Sequence, residues 1–432
     1  MASTTRGPRG SRPAGAPQHR RSARPAPAGT PAPGVSAVLA KPDRRPDREP
    51  GSTGAGEQGA RRRPRLYVLD GLRLVAALMV AAHHYVGTYR VNKPNTSPWG
   101  RPVEEIFPNV FPVAAYGWIG VEFFFVISGF VICMSCWGKR PRDFFVSRVV
   151  RLYPAYWFAV LLTTAVLTIW PMVRPPLRHG EMLLNLSMLN EGFGVRGVDG
   201  VYWTLWSELR FYLLFLLLMA TGLTYRKVVL FCCGWGLAAA VAAEADSELL
   251  TLVANPSGAP FFIAGLVLYL MHRFGPDLML WGMLGMTWLL GQYQLIDRVA
   301  YESVSSWKGA TLLFTAFLAL MVAIALGRLN GRATRSPEAG ASGRKERGSR
   351  GRWLVFAGSL TYPFYLIHYA IGLTAIQLLH DDVDPRLLVL ALFAAGLTGA
   401  WLIHRLIERP VSRLLRTRLN ESLDRMRTLR EA

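Results

Sequence analysis

The stretch LYVLDGLRLVAALMVAAHHY, residues 66–85, decides the fold, because it is apolar apart from four ionisable side chains. An α-helix of about 20 residues spans about 30 Å, the thickness of the hydrocarbon core of a bilayer. On such a helix Asp70, Arg73 and His84 share one face, whereas His83 lies about 80° away from Arg73. Ionisable groups inside a membrane are costly unless they are paired or hydrated. We therefore expect this face to line a polar site.

The same residues also allow a simpler interpretation. Asp70 and Arg73 are three positions apart, which is the spacing of a structural ion pair on a helix surface. His84 would then be an interfacial histidine, since it lies about 16 Å from Arg73 along the helix axis and cannot contact it. The first span on its own leaves both interpretations open.

The rest of the chain has the same membrane character. Its 432 residues are 51% hydrophobic and 18% charged, whereas a typical soluble domain carries about 25% charged residues. The sequence therefore predicts an all-α integral membrane protein with about ten transmembrane helices. The predicted spans are 66–86, 115–136, 152–171, 201–221, 227–244, 257–272, 277–295, 308–327, 354–379 and 387–406.

Charge is concentrated outside these spans. Residues 1–65 are rich in Pro, Gly, Ala and Arg, and we expect a disordered cytoplasmic tail that touches anionic lipid. Residues 66–412 form the predicted membrane domain, and 413–432 a basic cytoplasmic tail. The net charge of +21 reflects this distribution. The basic residues do not form a patch interleaved with aromatic residues, so we expect no nucleic-acid partner.

The distribution of Lys and Arg predicts the orientation of the chain. With both termini in the cytoplasm, the inner segments hold 38 of these residues and the outer loops hold 8. Because cytoplasmic loops are enriched in Lys and Arg, this bias predicts a multi-pass protein of the plasma membrane with cytoplasmic termini. No internal repeat is visible, so an inverted-repeat transporter gains no support.

Three further ionisable residues lie within the predicted spans at about the depth of His84. They are Glu122, Glu208 and His368. Acid–base groups at one level of a membrane protein could form a single buried reaction site.

Two arginines lie at the inner mouth of the third span. Arg148 and Arg151 are three positions apart and project on neighbouring faces of the predicted helix. Two planar guanidinium groups at this spacing suit a phosphate-bearing ligand that enters from the cytosol. The alternative is that both only anchor the helix at the inner membrane surface.

These residues fall in blocks that resemble the membrane-bound acyltransferase-3 family, the O-antigen acetylase-like transmembrane O-acyltransferases. The resemblance covers about residues 66–412, with six blocks in the family's order. The blocks are Leu69 to Arg73 with His84 eleven residues later, Gly120 to Phe130, Arg148 with Arg151, Trp203 to Tyr212, Thr361 to His368, and Glu408 to Pro410.

The resemblance implies transfer of an acyl group, commonly acetyl, from cytosolic acyl-CoA to a hydroxyl of a carbohydrate or lipid-like acceptor. His84 would be the general base, since a neutral imidazole accepts a proton near pH 7. Arg148 and Arg151 would bind the CoA phosphates, and Arg73 would line the donor path or stabilise negative charge. Direct transfer and an acyl-enzyme relay both stay open. The family implies acyl-CoA as a donor substrate, with no bound cofactor and no metal.

The remaining candidates have less defined roles. Glu122 or Glu208 would orient a histidine, and Asp70 and His368 are further members of the site. Leu209 and Arg210 depart from the family pattern beside Glu208 and resemble relatives that acylate macrolide antibiotics. The expected acceptor is therefore a cell-envelope glycan or a macrolide-like molecule. The alternative function is a multi-span transporter or channel with an intramembrane proton relay, and a third is an inactive scaffold.

Overall fold

The structure is a computed structural model that describes residues 66–88, 97–245, 247–302, 306–328 and 341–431. The predicted disordered tail, residues 1–65, lies outside this part of the chain. Within the described ranges the regular structure is helical, without β-strands. The predicted C-terminal tail continues the last helix, which runs to Glu431.

Twelve long helices form the described part of the fold. They are α1 (Tyr67–Ala82), α2 (Gly120–Cys136), α3 (Pro141–Ile169), α4 (Trp203–Ala220), α5 (Tyr225–Glu244), α6 (Ala259–Phe274), α7 (Leu278–Glu302), α8 (Trp307–Ala325), α9 (Ala341–Ile367), α10 (Tyr369–Leu379), α11 (Pro385–Ile403) and α12 (Arg409–Glu431).

The positions of the helices agree with the predicted spans more closely than the number of candidate membrane crossings agrees with the predicted number. Every predicted span overlaps at least one long helix. By length and composition, seven helical segments among the described residues could cross a membrane, or eight when α9 and α10 count as one bent span. Helix α1 has only 16 residues, and the second half of α7 carries several polar and charged residues. The protein is a multi-pass membrane protein, and the count of ten stays a prediction.

Glycines bring the central helices into close contact. A Cβ atom at Gly129 of α2 would overlap the carbonyl of Phe262 in α6, and one at Gly265 would overlap the carbonyl of Val126. Small residues allow membrane helices to approach this closely. The glycine of the Ser128-Gly129 pair therefore serves the contact between α2 and α6.

Helix breaks place the C-terminal ends of α1 and α9 side by side. Helix α1 ends in a π-helical turn, His83–Gly87. The predicted span 354–379 is wrong as one straight helix, because α9 and α10 meet at 63° on either side of His368. Tyr85 in the π turn donates a hydrogen bond of 2.7 Å to the carbonyl of His368. This bond holds the two helix breaks together and positions His84 and His368.

Candidate active site

Two histidines that are 284 positions apart form the centre of the candidate site. Nδ1 of His84 lies 3.0 Å from Nε2 of His368. His84 is carried by the π turn after α1, and His368 lies at the bend between α9 and α10. The structure therefore joins two residues that the sequence placed at similar depth.

The hydrogen bonds of this pair define the tautomers of the neutral rings. Nδ1 of His368 lies 2.8 Å from the carbonyl oxygen of Tyr365, so this nitrogen must donate. Nε2 of neutral His368 is then an acceptor, and Nδ1 of His84 donates to it. The lone pair of His84 is left on Nε2. A histidine in this tautomer can accept a proton while its other nitrogen is held in place.

A cavity of about 700 Å³ opens beside His84. We call it the histidine cavity. Side chains that line it include His83, His84, Trp118, Arg174, Trp203 and Arg298. His83 therefore faces the same cavity as His84, although the two side chains would point in different directions on a regular α-helix. The predicted separation of His83 from the face of His84 holds for an α-helix. The turn at 83–87 is π-helical, which changes the direction of its side chains.

A second group of polar residues lies deeper along α1. Arg73 donates a 3.5 Å hydrogen bond to Oγ of Ser128, and Ser128 donates a 2.8 Å bond to Oε1 of Glu208. The expectation that Glu208 lies at the level of the histidines is therefore wrong. Glu208 instead lies with Arg73, which is about 16 Å from His84 along the axis of the first span.

This second group lines its own cavity, which we call the arginine cavity. Its side chains include Arg73, Ser128, Arg148, Arg151 and Glu208, and its volume is about 80 Å³. Such a volume holds only a few water molecules, since each takes about 30 Å³ in the liquid. The structure brings the three predicted arginines together, and a thioester arm would have to widen the cavity.

The two cavities meet at Val121 and Tyr365, which line both. The hydroxyl of Tyr365 shares a 2.9 Å hydrogen bond with Oγ1 of Thr204. This bond fixes the tyrosine ring at the junction. The polar face predicted for the first span is thus divided, with Arg73 on one side of the junction and His84 on the other.

Glu122 has a partner that the sequence did not suggest. Its Oε1 lies 4.0 Å from a guanidinium nitrogen of Arg298. Arg298 was expected in an outer loop, but it lies on the last turns of α7 and lines the histidine cavity. The sequence signal for Arg298 was a cation just after a long apolar segment. The distribution of Lys and Arg between loops accounted for it as a loop residue instead.

Asp70 occupies a structural contact. It lies in the first turn of α1, where a negative charge interacts favourably with the helix dipole. Its side chain packs against Gly358 of α9, where a Cβ atom would approach the side chain of Asp70 to 2.7 Å. Asp70 thus belongs to the contact between α1 and α9.

Arg210 likewise serves the fold. Its guanidinium donates to the carbonyl of Leu252 at 3.0 Å and to Oδ1 of Asn255 at 2.7 Å. These bonds connect α4 to the end of the short helix Glu248–Ala254. The departure from the family pattern at position 210 is therefore explained by a helix–helix connection.

Asp199 supports the histidine pair from the loop before α4, and the sequence analysis missed it. Its carboxylate accepts hydrogen bonds from the backbone N–H groups of Val201, at 3.1 Å, and Ala370, at 3.0 Å. Ala370 lies in the first turn of α10, directly after the bend at His368. Burial raises the pKa of Asp199 to about 6, although these hydrogen bonds and the charge of Arg174 lower it.

The pKa of Asp199 predicts a pH-dependent stability difference. A carboxyl with a raised folded-state pKa stabilises the fold fully below its unfolded pKa, near 4, and loses this contribution as pH rises through about 6. Thermal unfolding of wild type and Asp199→Asn, in the same detergent from pH 4 to 7, should show this. We expect the midpoint of the variant minus that of wild type to increase with pH. A pH-independent difference would contradict the assignment.

A family model described as an acyltransferase domain matches residues 66–405. The chain belongs to the acyltransferase-3 family. The acyltransferase is also similar to Acyltransferase MdmB of Streptomyces mycarofaciens, with 25% identity over 403 residues, which cover 81% of this chain and 92% of that protein. No solved structure matches the acyltransferase. The resemblance noted from the six sequence blocks is confirmed, and the protein is a membrane O-acyltransferase.

Proposed function

We propose that the acyltransferase moves an acyl group, most simply acetyl, from cytosolic acyl-CoA to a hydroxyl of a carbohydrate or macrolide-like acceptor. The observation that carries this proposal is the meeting of two chemically different cavities at Val121 and Tyr365. One cavity offers guanidinium groups, and the other offers a histidine base. A donor and an acceptor that enter from opposite sides would meet at this junction.

The donor occupies the arginine cavity in this proposal. Arg148 and Arg151 hold the CoA phosphates through charge-assisted hydrogen bonds, which are stronger than neutral ones. Arg73 lies further along the path and is held by Ser128. Both phosphate-binding arginines come from the start of α3, which the positive-inside rule places at the cytoplasmic face of the plasma membrane, together with both chain termini.

The acceptor occupies the histidine cavity. Its volume of about 700 Å³ lies in the range of small-molecule sites, about 300–1,000 Å³. The rings of Trp118, Trp203 and Tyr369 line it and offer flat apolar surfaces to a sugar ring. Arg174 and Gln377 add polar groups that can bind hydroxyls.

The chemistry is direct acyl transfer. Nε2 of His84 takes the proton of the acceptor hydroxyl while its Nδ1 donates to His368. The acceptor oxygen forms a bond to the thioester carbonyl carbon, the carbon–sulfur bond breaks, and the CoA thiolate takes the proton from His84. The products are the acylated acceptor and CoA.

Sealed membrane vesicles of the two orientations test this proposal. Acyl-CoA is charged and does not cross the bilayer, so [¹⁴C]acetyl-CoA added outside should be consumed only by inside-out vesicles. Mass spectrometry of glycans and small metabolites from cells with and without the gene would identify the acetylated acceptor. Equal rates in vesicles of both orientations would contradict the donor side, and acyl groups bound to the protein after rapid quenching would contradict direct transfer.

A further inference from the structure

Arg298 is held in an unusual position for a residue near the end of a helix. The central carbon of its guanidinium lies 5.0 Å from the ring centre of Trp203 and 5.6 Å from that of Trp118. Trp118 precedes α2 and Trp203 begins α4. Guanidinium groups interact favourably with indole faces. Two elements besides α7 therefore hold this cation in one place.

Glu122 holds the same guanidinium from a third direction. The side chain of Glu122 is 6% exposed and that of Arg298 is 29% exposed, with 4.0 Å between Oε1 and Nη1. The carboxylate thus lies behind the arginine, and the guanidinium keeps an accessible edge on the histidine cavity. A charge that is fixed before reaction costs no reorganisation when the transition state forms.

The position of Arg298 relative to the reacting groups gives it a chemical role. Arg298, His84 and Tyr365 all line the histidine cavity, and Arg298 is close enough to interact electrostatically with both of the others. Tyr365 marks the junction through which the thioester would arrive. A carbonyl at this junction would therefore face a cavity that holds both a base and a fixed cation.

We propose that Arg298 is a catalytic residue that binds the oxyanion formed during acyl transfer, and that Glu122 positions it. The inference rests on the proposed function, because it requires a thioester carbonyl at the junction. When the acceptor oxygen attacks, the carbonyl electron pair moves to oxygen, and the guanidinium donates hydrogen bonds to the resulting oxyanion. The negative charge then returns as the carbon–sulfur bond breaks, and the thiolate leaves with the proton from His84.

A purely structural role for Arg298 makes a different prediction. In that case the arginine only neutralises the buried carboxylate of Glu122. Removing one member of a buried ion pair is strongly destabilising, whereas replacing both members is often tolerated. The double variant Glu122→Gln/Arg298→Gln therefore separates the two roles, because it removes the buried charge and the oxyanion donor together.

The experiment compares five proteins in lipid nanodiscs. They are wild type, Arg298→Lys, Arg298→Gln, the double variant Glu122→Gln/Arg298→Gln, and Arg386→Gln as a matched control at an exposed arginine. Size-exclusion chromatography reports folding, and calorimetry reports acetyl-CoA binding. Initial rates of acetyl transfer to the acceptor that mass spectrometry identifies report kcat and KM. Loss of one oxyanion donor typically lowers kcat by about 10²–10³-fold.

We expect the double variant to fold, to bind acetyl-CoA like wild type, and to lose about 10²-fold in kcat with little change in KM. Arg298→Lys should fall between the double variant and wild type, since an ammonium group keeps the charge but not the planar fork. Recovery of wild-type kcat in the double variant would overturn the role of Arg298 and leave the proposed function intact. Absence of acetyl transfer by wild type would overturn both.

Discussion

Replacing His84 with alanine should lower kcat by about 10²–10⁴-fold, the usual range for loss of a general base. The expectation follows from the bond between Nδ1 of His84 and His368, which leaves Nε2 available for the proton of the acceptor. Affinity for acyl-CoA should not change, because the phosphates are assigned to the arginine cavity. Quenched time courses of acetyl transfer from labelled acetyl-CoA measure kcat, and calorimetry measures acetyl-CoA binding on the same preparation.

His83→Ala is the matched control for this prediction. His83 is also buried and lines the histidine cavity, so its loss removes a similar volume from the same region. It is not a partner in the hydrogen bond to His368, and we expect a smaller effect, mainly on KM for the acceptor. Equal losses of kcat in both variants would contradict the assignment of the base to His84.

Replacing both Arg148 and Arg151 with glutamine should raise KM for acyl-CoA by at least about 10²-fold. A hydrogen bond to a charged group contributes about 1.5–3 kcal/mol, and two such bonds would be lost. Both side chains line the arginine cavity with Arg73, which remains in the variant. Once the donor is saturating, kcat should be close to that of wild type, because the histidine cavity is unchanged.

Two further variants make this result specific. Arg151→Lys keeps the charge but not the two-pronged geometry, so KM should still increase by several-fold. Arg416→Gln/Arg418→Gln removes two exposed arginines of α12 and should leave KM unchanged, although the net charge falls equally. If the α12 variant raised KM as much as the cavity variant, general attraction of the anionic donor would explain both effects.

The sequence predicted the helices and part of the site. Apolar runs fixed the positions of the helices, because each must satisfy its own backbone groups inside a membrane. The spacing of Arg148 and Arg151 and the depth of His84 and His368 were also visible along single helices. These predictions depend on local periodicity, which the sequence contains directly.

Other features depend on contacts that periodicity does not encode. The bend at His368 is held by Asp199 through the backbone of Ala370, which lies 171 positions further along the chain. The position of Glu208 is defined by its bond to Ser128 of α2, which also accepts a bond from Arg73 of α1. Arg298 was assigned to a loop because the predicted apolar span ended at 295, whereas α7 continues to Glu302 and pairs Arg298 with Glu122 of another helix. Each of these features requires the tertiary arrangement of several helices.

The junction at Tyr365 also has a consequence for the energy supply of the cell. The proposed function requires the two cavities to open towards opposite membrane faces, and a continuous column of water between them would let protons flow down their gradient. Val121 and the Tyr365 ring, held by Thr204, lie between the two cavities. In the proposed function, the side chains that separate donor from acceptor therefore also keep water and protons from crossing the membrane through the enzyme between turnovers.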